Sequence, residues 1–408
     1  MSKTLLMVGG GIEALPGIRM AKEMGLHVVV SDQNLDAPGF ALADDRLIVD
    51  TYDVPGTVEA AKRYHQNSRP LHGVICIASD VPHTVASVSQ ELGLPGIPLE
   101  AARLAMDKLA MKQKFIRDGV PVPWFSPVES IEHLREIVDR KGLPLVIKPV
   151  DSRGARGVLR LTAQVDLDWA YQLSRSHSPT QRVLVERFLP GPQISTETMM
   201  LDGEAFTPGF SDRNYEFLER FAPHVIENGG ELPSHLPPTV QQDVQQVVKQ
   251  TALSMGVRTG VVKGDIVVSN GEPYVIELAA RLSGGYFCTH EIPLNTGVQF
   301  VEHAIRLSLG ERVHSSNLEP RFQVGVAQRY LFHEPGCVVR VSNVEEAAKL
   351  PGVAFCDVKV GVGDIIQAID SHPTRAGMVI ATGGDRHDAI AKASAAIEAI
   401  HIETVPVK

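Results

Sequence analysis

Short apolar runs alternate with helix-like stretches along the first hundred residues. Residues 4–8, 27–31 and 74–78 read as strands; residues up to about Met24, and then 84–92, read as helices. Strands joined through helices run parallel, because the crossover brings the chain back to the same end of the sheet. A chain that begins this way is committed to an open α/β sheet. Gly25 stops the first helix. Leu94-Pro95-Gly96-Ile97-Pro98 punctuates the end of the unit.

The pattern then changes. Residues 99–118 form one helical segment, broken by Val120-Pro121-Val122-Pro123. Ser130 suits the N-cap of a helix running to Arg140, with Gly142 as its stop. Residues 143–150 read as a strand, 151–157 as a Gly- and Arg-rich loop, and 158–162 as a return strand. Further strands are expected at 182–189, 261–268 and 274–278, the last two joined by the hairpin signal Ser269-Asn270-Gly271-Glu272. Residues 322–331 and 377–382 read as strands and 344–350 as a short helix. Asp385 caps a helix reaching about Ile400.

Length and charge narrow the function. The 408 residues allow two to three domains of about 150 residues. No disulfide or metal staple is needed for a chain of that size. The net charge of −9 lacks the basic footprint that nucleic-acid binding requires, and it disfavours an anionic membrane surface. No window of about 18 apolar residues occurs, and the first residues lack a signal-peptide pattern, so a cytoplasmic protein is expected. Cys76, Cys288, Cys337 and Cys356 are scattered and read as reduced thiols.

Three constellations could carry chemistry. Gly9-x-Gly11-x-x-Ala14 follows a strand and Asp32 ends the next, the layout of a dinucleotide-binding turn. Pro16-Gly17 follows directly, however, and proline belongs in a first helical turn. The helix should therefore start near Leu15, leaving a longer loop than that fingerprint wants. The second constellation is Lys108, on a helix in Met106-Asp107-Lys108, with Lys148 at the end of Leu145-Val146-Ile147-Lys148-Pro149. The Gly/Arg loop follows Lys148 at once. Small residues let backbone N–H groups approach phosphate oxygens, and a lysine packed on a strand is costly unless it meets an anion. The third is the pair Asp265 and Glu277. A three-residue loop at 270–272 sets them directly opposite, where two acids need a cation between them. Hard oxygens of this kind suit Mg²⁺. A two-residue turn sets them on opposite faces.

No Gly-x-x-x-x-Gly-Lys-Ser/Thr and no His-Arg-Asp occurs. As an ordered set, Met106-Asp107-Lys108, Val146-Ile147-Lys148-Pro149 with its loop, Val183 to Gly191, and Glu277-Leu278-Ala279-Ala280-Arg281 resemble the ATP-grasp superfamily of carboxylate–amine ligases. The resemblance covers roughly residues 1–310. It implies an α/β and α+β architecture: an open parallel α/β (pre-ATP-grasp) domain at 1–104, ATP-grasp small and large subdomains at 105–181 and 182–315, and a C-terminal α/β domain at 316–408. Lys108 and Lys148 would hold the phosphates of ATP, and the loop with Ser152, Arg153, Gly154 and Gly157 would close over them. Glu186, Arg187, Phe188 and Leu189 would form the hinge at adenine, and Gln193 would face the ribose. Asp265 and Glu277 would ligate Mg²⁺, with Mn²⁺ as an alternative. Arg281, with Lys148, would act on the acyl phosphate.

Three positions depart from the family pattern. Ala279 stands where many members have Asn, Gln193 where many have Glu, and Asp265 where the longer Glu or Gln is common. The Glu-x-Ala-Ala-Arg form is similar to the L-amino-acid ligase branch, which also carries a C-terminal α/β extension. The implied partners are a small carboxylate and an amine, with Glu227, Gly229, Arg281, Ser283, Gly284 and His290 as substrate contacts; a homodimer is compatible with the sequence. Residues 213–231 read as a substrate loop or as a solvated connector. The alternatives are a purine-biosynthetic or carboxyphosphate-forming member, a nucleotide-binding protein without turnover, and an NAD-dependent dehydrogenase using Gly9–Ala14 and Asp32.

Overall fold

A computed structural model describes residues 2–407. The first unit is a four-stranded parallel sheet in the order Asp45–Ile48, His27–Asp32, Thr4–Val8, Gly73–Ile75. The helix Leu15–Glu23 begins where the proline requires, after a short 3-10 turn at Ile12–Ala14. Strand Asp45–Ile48 and helix Val54–Asn67 had no clear pattern in the sequence. The strand is largely exposed and charged, so it lacks an apolar run.

Residues 99–118 form two helices, Leu99–Ala105 and Lys108–Arg117. Asp107 makes the break. Its carboxylate accepts from the Ala110 amide at 2.8 Å, an N-cap that restarts the helix and leaves Lys108 in its first turn. The small four-stranded antiparallel sheet runs Phe125–Val128, Val183–Arg187, Leu145–Pro149, Leu159–Leu161. It has its own core, with Leu134, Ile137, Leu145, Ile147 and Leu161 fully buried. Ser130 and Gly142 bound the helix Ile131–Lys141 that covers it.

An eight-stranded antiparallel sheet forms most of the remaining frame, beside a small antiparallel sheet Ile365–Ile366, Gly336–Ser342, His401–Val405. The order of the eight strands is Glu272–Ala279, Gly260–Ser269, Gln193–Leu201, Glu204–Arg213, Gly230–Leu232, Gly325–Leu331, Gly377–Gly383, Val353–Val358. The C-terminal strands thus continue the sheet that carries Asp265 and Glu277. Leu5, Met7 and Ile18 of the front unit share one core with Phe300, Ile305 and Ile380. The front unit and the large sheet are therefore packed as one body. No helix among the described residues is long and apolar enough to cross a membrane.

Candidate active site

A cavity of about 650 Å³ lies where the front unit, the small sheet and the large sheet meet. Its lysines come from two directions. Lys148 is 4% exposed and pairs with Glu186 at 2.6 Å, while the fully buried Lys112 approaches the other Glu186 oxygen at 2.9 Å. Burial opposes the Glu186 charge, but the two lysines hold its carboxyl below the usual range. Burial also pulls Lys112 down to about 8. Two lysines against one carboxylate leave excess positive charge at the end of the Leu145–Pro149 strand, which suits a polyanion. Lys108 donates to the Ser152 carbonyl at 2.7 Å and lies 3.2 Å from Glu277.

The loop after Lys148 is held from both sides. Arg153 donates to the Asp80 carbonyl at 3.2 Å and sits 4.3 Å from the centre of the Tyr52 ring. The Gly154 carbonyl accepts from the His372 amide at 3.0 Å. Gly154 has φ +65°, and a Cβ there would sit 3.3 Å from Pro373. The front unit and the 372–374 turn therefore both touch the loop.

The carboxylate pair shows how geometry settled two readings at once. Ser269 pairs with Glu272, so the turn is the two-residue Asn270-Gly271, both with positive φ. Asp265 nevertheless faces Glu277. A bulge places Ile276 as an extra residue between the pairs Ile266–Val275 and Asp265–Glu277 and restores the alignment. Ile276 and Glu277 consequently both line the cavity. Lys263 pairs with Asp265, and Arg213 reaches it at 2.9 Å. Burial works against the Asp265 charge, but these two cations hold its carboxyl well below the ordinary range. Two facing carboxylates with phosphate oxygens to complete the shell are the donor set Mg²⁺ ordinarily takes in nucleotide sites. The residues present fit that ion.

Beyond the carboxylates, Arg281 pairs with Asp80 at 3.1 Å. Glu197 is fully buried and accepts from the Ser283 amide at 3.1 Å; burial pushes it up to about 7. At the far end, Arg213 pairs with Glu227. Glu291 lines the same cavity at 2% exposure, and its Oε2 has no hydrogen-bond partner among the described residues. Burial, helped by Glu227, pushes it up to about 8. Arg375 stacks over the Tyr330 ring at 3.3 Å and donates to the His372 and Glu227 carbonyls, with no carboxylate partner among the described residues.

Most of the residues expected from sequence line this cavity: Lys108, Lys148, Ser152, Arg153, Gly154, Glu186, Arg187, Phe188, Leu189, Gln193, Glu227, Asp265, Glu277, Arg281, Ser283 and Gly284. Three do not. Gly157 turns the loop at φ +69°, against His177 and Pro149. Gly229 backs onto the Gln328 carbonyl, where a Cβ would come within 2.2 Å. His290 packs on Tyr286 and Phe355, and burial lowers its pKa. The strand at the expected hinge ends at Arg187, so Phe188 and Leu189 belong to the following loop. His224 packs edge-on against Trp169, outside the cavity lining. Of residues 213–231, Arg213, Tyr215, Val225, Glu227 and Gly230 line the cavity.

Asp80, in the front segment, and Arg213, at the start of the 213–231 segment, also line it, as do Glu13, Lys263, Glu291 and Arg375, which were not singled out beforehand. Glu13 had the only local signal, since it sits inside the glycine turn; its carboxylate accepts from the Gly285 amide at 2.7 Å. The turn itself is internally satisfied. Asp32 accepts from the Gly10 amide at 2.9 Å and the Asn34 amide at 2.9 Å, which leaves its carboxylate engaged and not presented to a ribose.

Residues 105–285 match the ATP-grasp domain family, residues 18–96 the ATP-grasp N-terminal domain, and residues 329–405 the L-amino acid ligase C-terminal domain 2. The chain belongs to the ATP-grasp superfamily. ATP-grasp members are ATP-dependent ligases that form C–N bonds and release ADP and phosphate, and this chain is a ligase of that kind. They use ATP with Mg²⁺. The uncharacterized protein y4rH of Sinorhizobium fredii is 25% identical, over 86% of this ligase and 72% of that protein. A D-alanine–D-alanine ligase of Desulforudis audaxviator is 28% identical, over 55% of this chain and 76% of its own. The crystal structure of L-amino acid ligase from Bacillus licheniformis shares the fold, with a TM-score of 0.82, 19% identity and 99% coverage of both chains.

Proposed function

We propose that this ATP-grasp ligase joins an amino-acid-type carboxylate to an amine through an acyl phosphate. The observation that carries the reading is a pair of unpartnered groups in the cavity: the lone Glu291 carboxyl, which an incoming ammonium would ionise, and the Arg375 guanidinium. A substrate bearing both an ammonium and a carboxylate satisfies such a site, whereas bicarbonate or formate brings no cation to Glu291. The reading also draws on the match of residues 329–405 to the L-amino acid ligase domain.

The chain's residues then divide the work. Lys108, Lys148 and the amides of the 152–156 loop hold the triphosphate. Asp265 and Glu277 would hold Mg²⁺, which would supply charge neutralisation for the phosphate oxygens. The substrate carboxylate takes the γ-phosphoryl group and ADP leaves. Arg281 balances the charge on the acyl phosphate. The amine attacks the acyl carbon, the new C–N bond forms, the C–O bond to phosphate breaks, and the amine loses a proton. No Ser or Cys nucleophile is required, because phosphate is the leaving group.

A panel of amino acids, simple acids and amines, scored by ADP release, tests the reading. Turnover is expected with amino-acid carboxylates and absent with bicarbonate or formate; a bicarbonate-dependent ATPase would overturn it. Binding gives a second readout. Near pH 7 the empty Glu291 carboxyl is protonated, and an incoming ammonium favours its ionised form. Calorimetry in buffers of different ionisation heat should detect release of about one proton per amino acid bound, and Glu291→Gln should abolish that release. The stability sign is also fixed. A carboxyl whose folded pKa is raised is stabilising below its unfolded value, and that contribution is lost as pH rises through about 8. Glu291→Gln should therefore melt higher than the wild type at pH 8, with the gap closing towards pH 5.

A further inference from the structure

A second pocket, of about 350 Å³, shares no lining residue with the cavity above. Gln299, Glu302, His303 and Arg306 reach it from one face of the helix Phe300–Ser308 and its N-cap, at the i, i+3, i+4, i+7 spacing of a single helical stripe. Arg312, Val313, Asn317 and Arg321 close it from the segment that follows.

Its charges do not balance. Arg306 is neutralised by Glu302 at 2.8 Å and by Glu311 at 3.2 Å. Arg312 and Arg321 are exposed and have no carboxylate partner among the described residues. His303 is 7% exposed, and neither ring nitrogen makes a well-aligned hydrogen bond among the described residues, the Asn317 backbone being the polar group beside the ring. A buried imidazole without a well-aligned partner is an unmet polar group, and such groups are rare unless something else fills the site. Every free polar group here donates or can donate: the two guanidinium groups, the imidazole N–H and the Asn317 side-chain amide. The pocket's volume lies in the range of small-ligand sites, about 300–1,000 Å³.

We propose that this pocket binds a small phosphate-type anion, with His303 donating from its floor and Arg312 and Arg321 closing over it. The site stands apart from the ligase reaction and does not depend on the reading given above. Burial lowers the His303 pKa; the neighbouring Glu302 carboxylate and the Asn317 backbone oppose that shift, Arg306 and Arg321 reinforce it, and the net direction is downward, so the empty ring is neutral near pH 7. A bound anion reverses that balance.

The test uses the full chain, uniformly labelled at histidine, with His303 assigned through His303→Gln. Inorganic phosphate is titrated while ring resonances are followed. Phosphate should shift the His303 ring and raise its pKa by about one unit. In Arg312→Ala/Arg321→Ala, at least tenfold more phosphate should be needed, with ADP release unchanged. If ADP moves the ring at lower concentration than phosphate, the bound species is the nucleotide's phosphate chain and the site stands. If neither moves it, or if the double variant responds like the wild type, the proposal is wrong. Phosphate binding lost only in Lys148→Ala would place the anion in the main cavity and overturn it as well.

Discussion

Lys148→Ala should lower kcat/KM for ADP release by about 10³ and leave a folded protein. Removal of a single positioned donor from a transition-state charge typically costs about 10²–10³, and Lys148 brings a full charge from a site shielded from water. The fold should tolerate the change for a specific reason. Breaking a buried ion pair is harmful when it strands a charge, but Glu186 keeps Lys112 at 2.9 Å. The residual ion pair is the point of the experiment. If Lys148 were only structural, Lys112→Ala would do equal harm to turnover, because both lysines hold Glu186. Thermal unfolding of each variant separates the two roles: Lys112→Ala should lose stability more than activity, and Lys148→Ala the reverse. Full ADP release by Lys148→Ala would remove that lysine from the site.

The second large effect is expected at the metal-type pair. Glu277→Gln keeps the shape of the side chain but removes its charge. ADP release should fall by at least about 10³, because a carboxylate ligand to Mg²⁺ is lost at the step where phosphate charge is neutralised. Lys108 then keeps only the Ser152 carbonyl. Raising Mg²⁺ should recover part of the rate in Glu277→Gln and none in Lys148→Ala. Asp265→Asn should show the same loss of turnover plus a pH signature in stability. The folded Asp265 carboxyl is depressed, so its contribution is present above the unfolded value of about 3.9 and disappears as pH falls below it. The melting gap between wild type and Asp265→Asn should therefore be open at pH 7 and narrow in acid. A gap that stayed constant down to pH 3 would mean that Lys263 and Arg213 do not act on Asp265.

The frame of this protein was legible where local chemistry is decisive. Ser130 and Asp385 cap their helices, Gly142 ends one, and Pro16 sets where another begins. The residues proposed to hold phosphate and metal line one cavity, and they stood out because they lie in contiguous motifs around Lys108, Lys148 and Glu277. The expected substrate contacts were legible in part: Glu227, Arg281, Ser283 and Gly284 line the cavity. Glu291 and Arg375 lie outside any strand and more than 80 positions apart, and they meet only in the folded chain, which no local window records. The facing of Asp265 and Glu277 was hidden differently. Turn length alone predicts opposite faces, and the bulge at Ile276 cancels that prediction without any glycine or proline to announce it. Asp107 shows the converse case. The cap was present in the sequence, but the strong helical pattern on both sides concealed it.

The continuous eight-stranded sheet has a practical consequence for building hybrids. The family boundary at residue 329 falls inside the strand Gly325–Leu331, which pairs with Gly230–Leu232 on one side and Gly377–Gly383 on the other. A graft joined at that boundary would splice two sequences within one strand and leave its register undefined. The workable seam is upstream, between the helix Phe300–Ser308 and Gly325, where the chain has no strand pairing to preserve. A cassette cut there carries Gln328, Tyr330, His372 and Arg375 together, so the C-terminal part of the cavity lining can be exchanged as one piece while Glu227, Glu291 and the carboxylate pair stay in place.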